Sequence, residues 1–290
     1  MNDCGVWRET SAQLSVSLWR KRFYTTKVAR HGDAKANKLE RSAAYGGRNA
    51  VWYYGDCGCR DSIPDGSEVH PPPSQYPTIP GTVFRCDVSS QYPALLATQL
   101  FPVRLKGTTD DIPLSDLVAL DRYYGVIADV TIRTDRAEYP VKRSDEPSYP
   151  TGQFRTTLVG PELRSAIDCG EVVCVYGTAY YELGQPLADY AKWLLAERSR
   201  CREGHDYCGE LFAKTLSTAI GGKFSQRATR REPAVGVVNP EGRWGPWVRT
   251  NQDGSLERLV SIAGVSFREV EASGMSKLLS AVYCFLTAYG

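Results

Sequence analysis

Two helical patterns follow one another at residues 186–203 and 207–220, separated only by a turn near Glu203-Gly204. Consecutive helices of this kind fold back as a hairpin and add no layer to a sheet. Strand patterns lie before and after the pair. Along Thr82–Val88, Thr82, Phe84, Cys86 and Val88 share one face, and Val83, Arg85 and Asp87 the other. Residues 125–133 and 171–176 alternate in the same way, and 259–267 does so more weakly. The expected class is mixed α+β, an antiparallel sheet carrying a helical hairpin.

The rest of the chain supplies connections. Leu14–Phe23 reads as an amphipathic helix with Trp19 on its apolar face. Residues 55–81 are rich in Gly, Pro, Asp and Ser and read as a long loop or insertion. Pro93 suits a first helical turn, so 94–100 continues as a short helix. Tyr149–Leu158 leads into a helix over 161–167, and a last helix is expected over 275–289. No fixed-period repeat is present, and 290 residues suffice for one large domain or two smaller ones.

The 35 basic and 33 acidic residues leave a formal charge of +2, too little to argue for a polyanionic partner by itself. The distribution is uneven: 20–48 and 198–232 are rich in Arg and Lys, whereas acids dominate 109–121. Two basic stretches fit a positively lined groove or, more blandly, solvated helix faces. Nine cysteines without a signal-peptide pattern point to reduced thiols and a cytoplasmic setting. Cys57 with Cys59, and Cys201 with His205 and Cys208 on one helix face, make poor zinc sets, because each lacks further ligands. No apolar run reaches bilayer-spanning length, so no membrane partner is expected.

The strongest chemical signal is Asp87-Val-Ser-Ser-Gln-Tyr-Pro93, with an acid at the end of a strand and just before a strand-to-helix corner. Taken alone, Asp87 could simply end a strand while Ser89 and Ser90 cap the next helix. A second signal follows it: Lys214-Thr-Leu-Ser-Thr-Ala-Ile-Gly-Gly-Lys-Phe224, in which Lys214 and Thr218 lie one helical turn apart. The Gly-Gly-Lys there is not a phosphate-binding P-loop, since Ser217 stands at its first Gly and Phe224 at its Ser/Thr.

Together these stretches resemble two motifs of family B DNA polymerases, Asp-x-x-Ser-Leu-Tyr-Pro and Lys-x-x-x-Asn-Ser-x-Tyr-Gly, in the family's order. Gln91 replaces the usual Leu, Thr218 the usual Asn, and Gly221 the usual Tyr. The resemblance implies that Asp87 and the Val88 carbonyl hold Mg²⁺ or Mn²⁺ for transfer of a nucleotide to a primer hydroxyl. Hard oxygen ligands suit such ions. Ser89, Ser90 and Gln91 would meet the triphosphate, Tyr92 would stack under the sugar, and Lys214 and Thr218 would complete the nucleotide site. Arg202, twelve positions before Lys214, best matches a basic residue that reaches the triphosphate, with Arg198 in reserve. Tyr45-Gly46-Gly47 resembles a Tyr-x-Gly-Gly element that touches template, and Lys223 would join it on DNA. Pro150–Leu158 and Gly160–Leu163 resemble the protein-primed phage and linear-plasmid branch.

The implied organisation is a linker remnant over 1–50, a palm over 51–185, helical fingers over 186–232, and a return into the palm over 233–290. The implied partners are primer–template DNA, dNTP and a terminal priming protein, in a host cytoplasm if the chain is viral. The family's Asp-Thr-Asp motif and exonuclease carboxylates are absent from the sequence, so the chain reads as a fragment, inactive by itself. Two other classes share some of these features. A noncatalytic nucleic-acid-binding module would not need Asp87. A general metal-dependent nuclease or phosphotransferase would have no use for the Lys214 helix.

Overall fold

The computed structural model describes residues 10–45, 88–143, 146–242, 244–251, 256–262, 264–276 and 278–289. The chain forms two compact units, one made of 1–46 with 92–290 and the other of 47–91. All helices and strands described here belong to the larger unit, apart from the first residue of α3.

Its centre is a four-stranded antiparallel sheet of β1 (Phe101–Asp110), β6 (Val172–Gly184), β2 (Gly125–Thr134) and β5 (Gly152–Val159), in that spatial order. The expected strand at 125–133 is β2, and the one at 171–176 opens the longer β6. Period-two alternation gives β2 its two faces. Val126, Ala128, Val130 and Ile132 are buried against α4 (Leu114–Tyr123) and α5 (Gly160–Asp168), with Leu117, Leu163 and Ala166. On the opposite face Ile127, Val159, Ala179 and Tyr181 join the main core, which extends to α2 (Ala34–Ser42) and α8 (Ala281–Tyr289). Here β1, α2 and α4 appear where the sequence showed no clear period. β1 is an edge strand, buried at one end and open at the other, so its alternation is blurred.

The hairpin is α6 (Ala188–Glu203) and α7 (Tyr207–Ser225). Gly204 closes α6, donating its N–H to the Arg200 carbonyl at 3.0 Å, and Asp206 caps α7 by accepting from the Gly209 N–H at 2.9 Å. α7 runs straight through Gly221-Gly222, so these glycines do not end the helix. A third helix, α1 (Ser11–Arg22), clamps the pair. Ser15 Oγ donates to the Leu216 carbonyl at 2.9 Å and lies 2.7 Å from the Tyr190 hydroxyl, and Trp19 Nε1 donates to the Pro186 carbonyl at 2.8 Å.

Beyond the hairpin a second antiparallel sheet has the order β7 (Arg227–Pro233), β10 (Val265–Ser276), β9 (Leu256–Ile262) and β8 (Gly245–Thr250). The single weak strand expected over 259–267 is thus two strands, turned at Gly264 with a φ of 81°. Met275 and Ser276 belong to β10, and α8 starts only at Ala281, later than the expected helix. A third, two-stranded ladder pairs β3 (Val141–Arg143) with β4 (Glu146–Ser148). Among the described residues no helix is long and apolar enough to cross a membrane.

One carboxyl group ties these parts together. Glu40 on α2 is 1% exposed and receives the Tyr181 hydroxyl at 2.8 Å, the Ser280 hydroxyl, and His31 Nε2 at 2.9 Å. Burial, then Glu40, holds the Tyr181 phenol well above its ordinary pKa. Replacing Glu40 by Ala leaves these donors without an acceptor in a dry site and is expected to cost about 3 kcal/mol or more. Glu40→Gln, which keeps one acceptor oxygen, should cost less. Urea unfolding checks both: the midpoint should fall with an unchanged m-value, and an alanine variant as stable as the parent would refute the role.

Candidate functional site

Two of the residues expected to meet nucleotide, Lys214 and Thr218, lie on α7. Burying Ala213, Leu216, Ile220 and Phe224 turns Lys214, Thr218 and Gly222 outward on a common face. Thr218 Oγ1 donates to the Lys214 carbonyl at 3.1 Å, which fixes its rotamer. Among the described residues no acid pairs with Lys214. Lys223 is half-buried in the last turn.

The α6 arginines behave differently. Arg202 donates through Nε and Nη2 to Glu210 Oε1 at 3.0 and 2.5 Å, and Arg198 Nε reaches the same oxygen at 3.3 Å. Glu210 is accordingly held below the usual carboxylate range, by the Arg202 hydrogen bond first and Arg198 after it. Arg200 is paired with Glu197. Arg202 must therefore leave Glu210 before it can reach a triphosphate. Glu210 has no local signature in the sequence: it lies in the first turn of α7 and meets α6 only when the hairpin closes.

The first motif leads into α3 (Gln91–Thr98). Val88 and Ser89 are exposed, and Ser90 takes a left-handed φ of 57°. Tyr92 is half-buried against the main core. Pro93 and Leu96 then line a narrow seam with Tyr190, Ala191, Leu194, Ser217 and Ile220. The start of α3 is thus packed beside the stretch of α7 that carries Lys214 and Thr218. Asp87, Gly46 and Gly47, like the loop expected over 55–81 and all of the strand expected over Thr82–Val88 except Val88, lie outside the described residues.

Tyr45 corrects an expectation. Its side chain is buried, with the hydroxyl 3.3 Å from Thr156 Oγ1 on β5, and is not presented to a template strand. Burial, the largest cause, pushes its pKa up, and nearby Glu162 adds to the shift. Thr156 points inward from β5 and offers the polar partner that a buried phenol requires. Cys201, His205 and Cys208 do not share a helix face: Cys201 is buried on α6, His205 sits in the turn with a φ of 54°, and Cys208 is exposed on α7. Among the described residues no three His, Cys, Asp or Glu side chains are grouped to hold a metal ion.

The departure at Gly221 also has a physical cause. A Cβ there would stand 2.8 Å from Leu286 Cδ2 of α8, so the space an aromatic would need is already filled.

The antiparallel sheet and the helical hairpin clamped by an amino-terminal helix form a mixed α+β arrangement that is similar to part of a solved DNA polymerase. Phi29 DNA polymerase, solved with primer-template DNA, matches 98% of this chain with a TM-score of 0.59 and 12% sequence identity. Its ternary complex with primer-template DNA and incoming nucleotide substrates gives the same values, and its complex with single-stranded DNA gives a TM-score of 0.57. The chain spans less than half of those structures, 43–44% of their length. No protein-family model and no curated protein sequence matches it.

Two measurements test this geometry. Gly221→Tyr should collide with α8 and cost about 1–3 kcal/mol, seen as a lower thermal midpoint, whereas the exposed Thr218→Asn should leave stability nearly unchanged. Glu162, whose carboxyl is pushed up to about 7 by burial against a partly offsetting Val159 backbone hydrogen bond, sets a pH dependence. Between the ordinary carboxylate value and about 7 the folded chain holds a proton that the unfolded chain has released. Stability contributed by this group should therefore fall as pH rises through that window, and Glu162→Gln should flatten the fall in denaturant titrations at several pH values.

Proposed function

We propose that this chain carries the nucleotide-binding part of a family B DNA polymerase of the protein-primed type, which adds dNMP from dNTP to a primer 3′-hydroxyl or a priming protein's hydroxyl. The observation that carries the reading is the packing of α3 against α7. Pro93 and Leu96 of α3 share a narrow seam with Ser217 and Ile220 of α7, which supports reading the two motifs as parts of one site although they are far apart in sequence. Residues 51–185 serve as palm, 186–232 as fingers, and 233–290 return to the palm.

Each group has a part that follows from its chemistry. Lys214 Nζ, exposed and with no acid on it, is positioned to neutralise the β- and γ-phosphates. Ser89, Ser90 and Gln91 would meet the triphosphate through hydroxyl and backbone N–H donors, and Tyr92 would form the floor for the sugar. Thr218 and Gly222 leave a low surface beside Lys214 on which a base pair can lie. Arg202 reinforces the triphosphate site once it exchanges Glu210 for phosphate, an exchange of one charge-assisted partner for another.

The donor set at the motif, the Asp87 carboxylate and the Val88 carbonyl, is hard oxygen and suits Mg²⁺ or Mn²⁺. A divalent ion bound there supplies charge neutralisation at the transferred phosphate. Primer–template DNA, dNTP and a terminal priming protein are the partners this reading names.

Titration of a fluorescent dNTP in Mg²⁺ against the parent and Lys214→Ala tests the assignment. Removing a charge-assisted interaction should weaken binding on the order of tenfold. Asp87→Ala should remove the Mg²⁺ dependence. Unchanged affinity in Lys214→Ala would falsify the nucleotide role of α7, and DNA binding that ignores both substitutions would leave only a noncatalytic binding module.

A further inference from the structure

The two basic stretches of this chain look alike in sequence and are unlike in the fold. On α6 each arginine meets a carboxylate, Glu197 or Glu210, so the hairpin tip is internally compensated. Residues 20–41 hold eight basic side chains and two acidic ones, in a chain whose whole excess is only +2. Both acids are used internally. Asp33 caps α2 by accepting from the Ala36 N–H at 2.7 Å, and Glu40 is buried among His31, Tyr181 and Ser280. Lys35 is paired with Asp110 at 2.5 Å. Arg20, Lys21, Lys27, Arg30 and Lys38 are exposed, and among the described residues no acid pairs with them.

The band is also held in shape. The Val28 N–H donates to the Tyr24 hydroxyl at 3.0 Å, and the Ala29 N–H donates to the Val103 carbonyl of β1 at 2.8 Å. These anchors fall between Lys27 and Arg30, while Arg20 and Lys21 occupy the last turn of α1. Uncompensated charge on a fixed backbone is what a regular polyanion recognises, because its condensed counterions are released at no ordering cost to the protein chain.

We infer that the exposed band of Arg20, Lys21, Lys27 and Arg30 is a docking surface for the sugar–phosphate backbone of double-stranded DNA, separate from the nucleotide site on α7. A lipid surface fits less well. Of the aromatic side chains in this stretch, Trp19 is 1% exposed and Phe23 packs on Tyr190 and Trp193, while Tyr24, 40% exposed, is held with its hydroxyl on the Val28 backbone. The inference rests on the polymerase reading only for the identity of the polyanion, and the band binds without regard to base sequence.

The test uses the full chain, a labelled 20-base-pair duplex and a range of salt concentrations. Combined Arg20→Gln, Lys21→Gln, Lys27→Gln and Arg30→Gln should reduce the slope of log affinity against log salt by about three to four, near 0.9 for each phosphate no longer neutralised. Affinity at low salt should fall at least tenfold, while dNTP binding is retained. Exchanging the same four positions between Arg and Lys should restore the slope. A slope unchanged by the four Gln substitutions overturns the inference, as does selective loss of binding to phosphatidylserine vesicles with duplex binding intact. Failure of Lys214→Ala to weaken dNTP binding would remove the nucleotide site and leave the duplex result to be judged on its own slope.

Discussion

A single buried carboxyl group organises the amino-terminal third of this molecule. Glu40 joins the loop at His31, the sheet at Tyr181 and the entrance of α8 at Ser280, segments separated by as many as 240 positions along the chain. Hydrogen bonds in a water-poor interior are strong, and an unmet partner there is costly, so such a node permits few other arrangements. It places α2 beneath the sheet. The same burial removes from the surface one of the two negative charges in the most basic stretch of the chain. A packing requirement thereby shapes an electrostatic surface elsewhere on the molecule.

The helical hairpin shows the same coupling from the opposite direction. α7 is a two-faced helix, one side sealed by α1, α6 and α8, and the other left to Lys214, Thr218 and Gly222. Closing the turn brings Glu210 onto Arg198 and Arg202, which fixes the hairpin and quenches those arginines together. Among the described residues no acid pairs with Lys214. The site on α7 is thus defined as much by which charges are cancelled around it as by which are present. Gly221 follows the same logic, since Leu286 fills the volume that an aromatic would otherwise use.

Much of the architecture was legible because burial leaves a period in the sequence. The alternation of 125–133 became β2, that of 171–176 became the start of β6, and the spacing over 186–203 and 207–220 became α6 and α7. Reading failed where one-sided burial is incomplete. β1 is an edge strand that opens to solvent halfway along, and α2 buries Ala36, Leu39 and the acid Glu40, which no hydrophobic pattern would select. α7 continues past the expected end at 220 through Gly221 and Gly222, where it packs against α8. The Tyr-x-Gly-Gly resemblance makes Tyr45 a nucleic-acid contact, whereas its buried hydroxyl meets Thr156, in a strand more than a hundred residues away.

The amino-acid sequence by itself determined the class of fold, the hairpin, and the presentation of Lys214 and Thr218 on one helical face. These depend on local periods that a short window contains. Only the tertiary structure decided which charges are cancelled: Arg202 by Glu210, Lys35 by Asp110, and almost nothing on Arg20, Lys21, Lys27 and Arg30. Pairing is a property of distance in space, and the partners come from segments whose approach is set by the cores around Trp19, Tyr181 and Phe285. A linear chain records how many charges it carries, and the fold determines which of them remain available to a ligand.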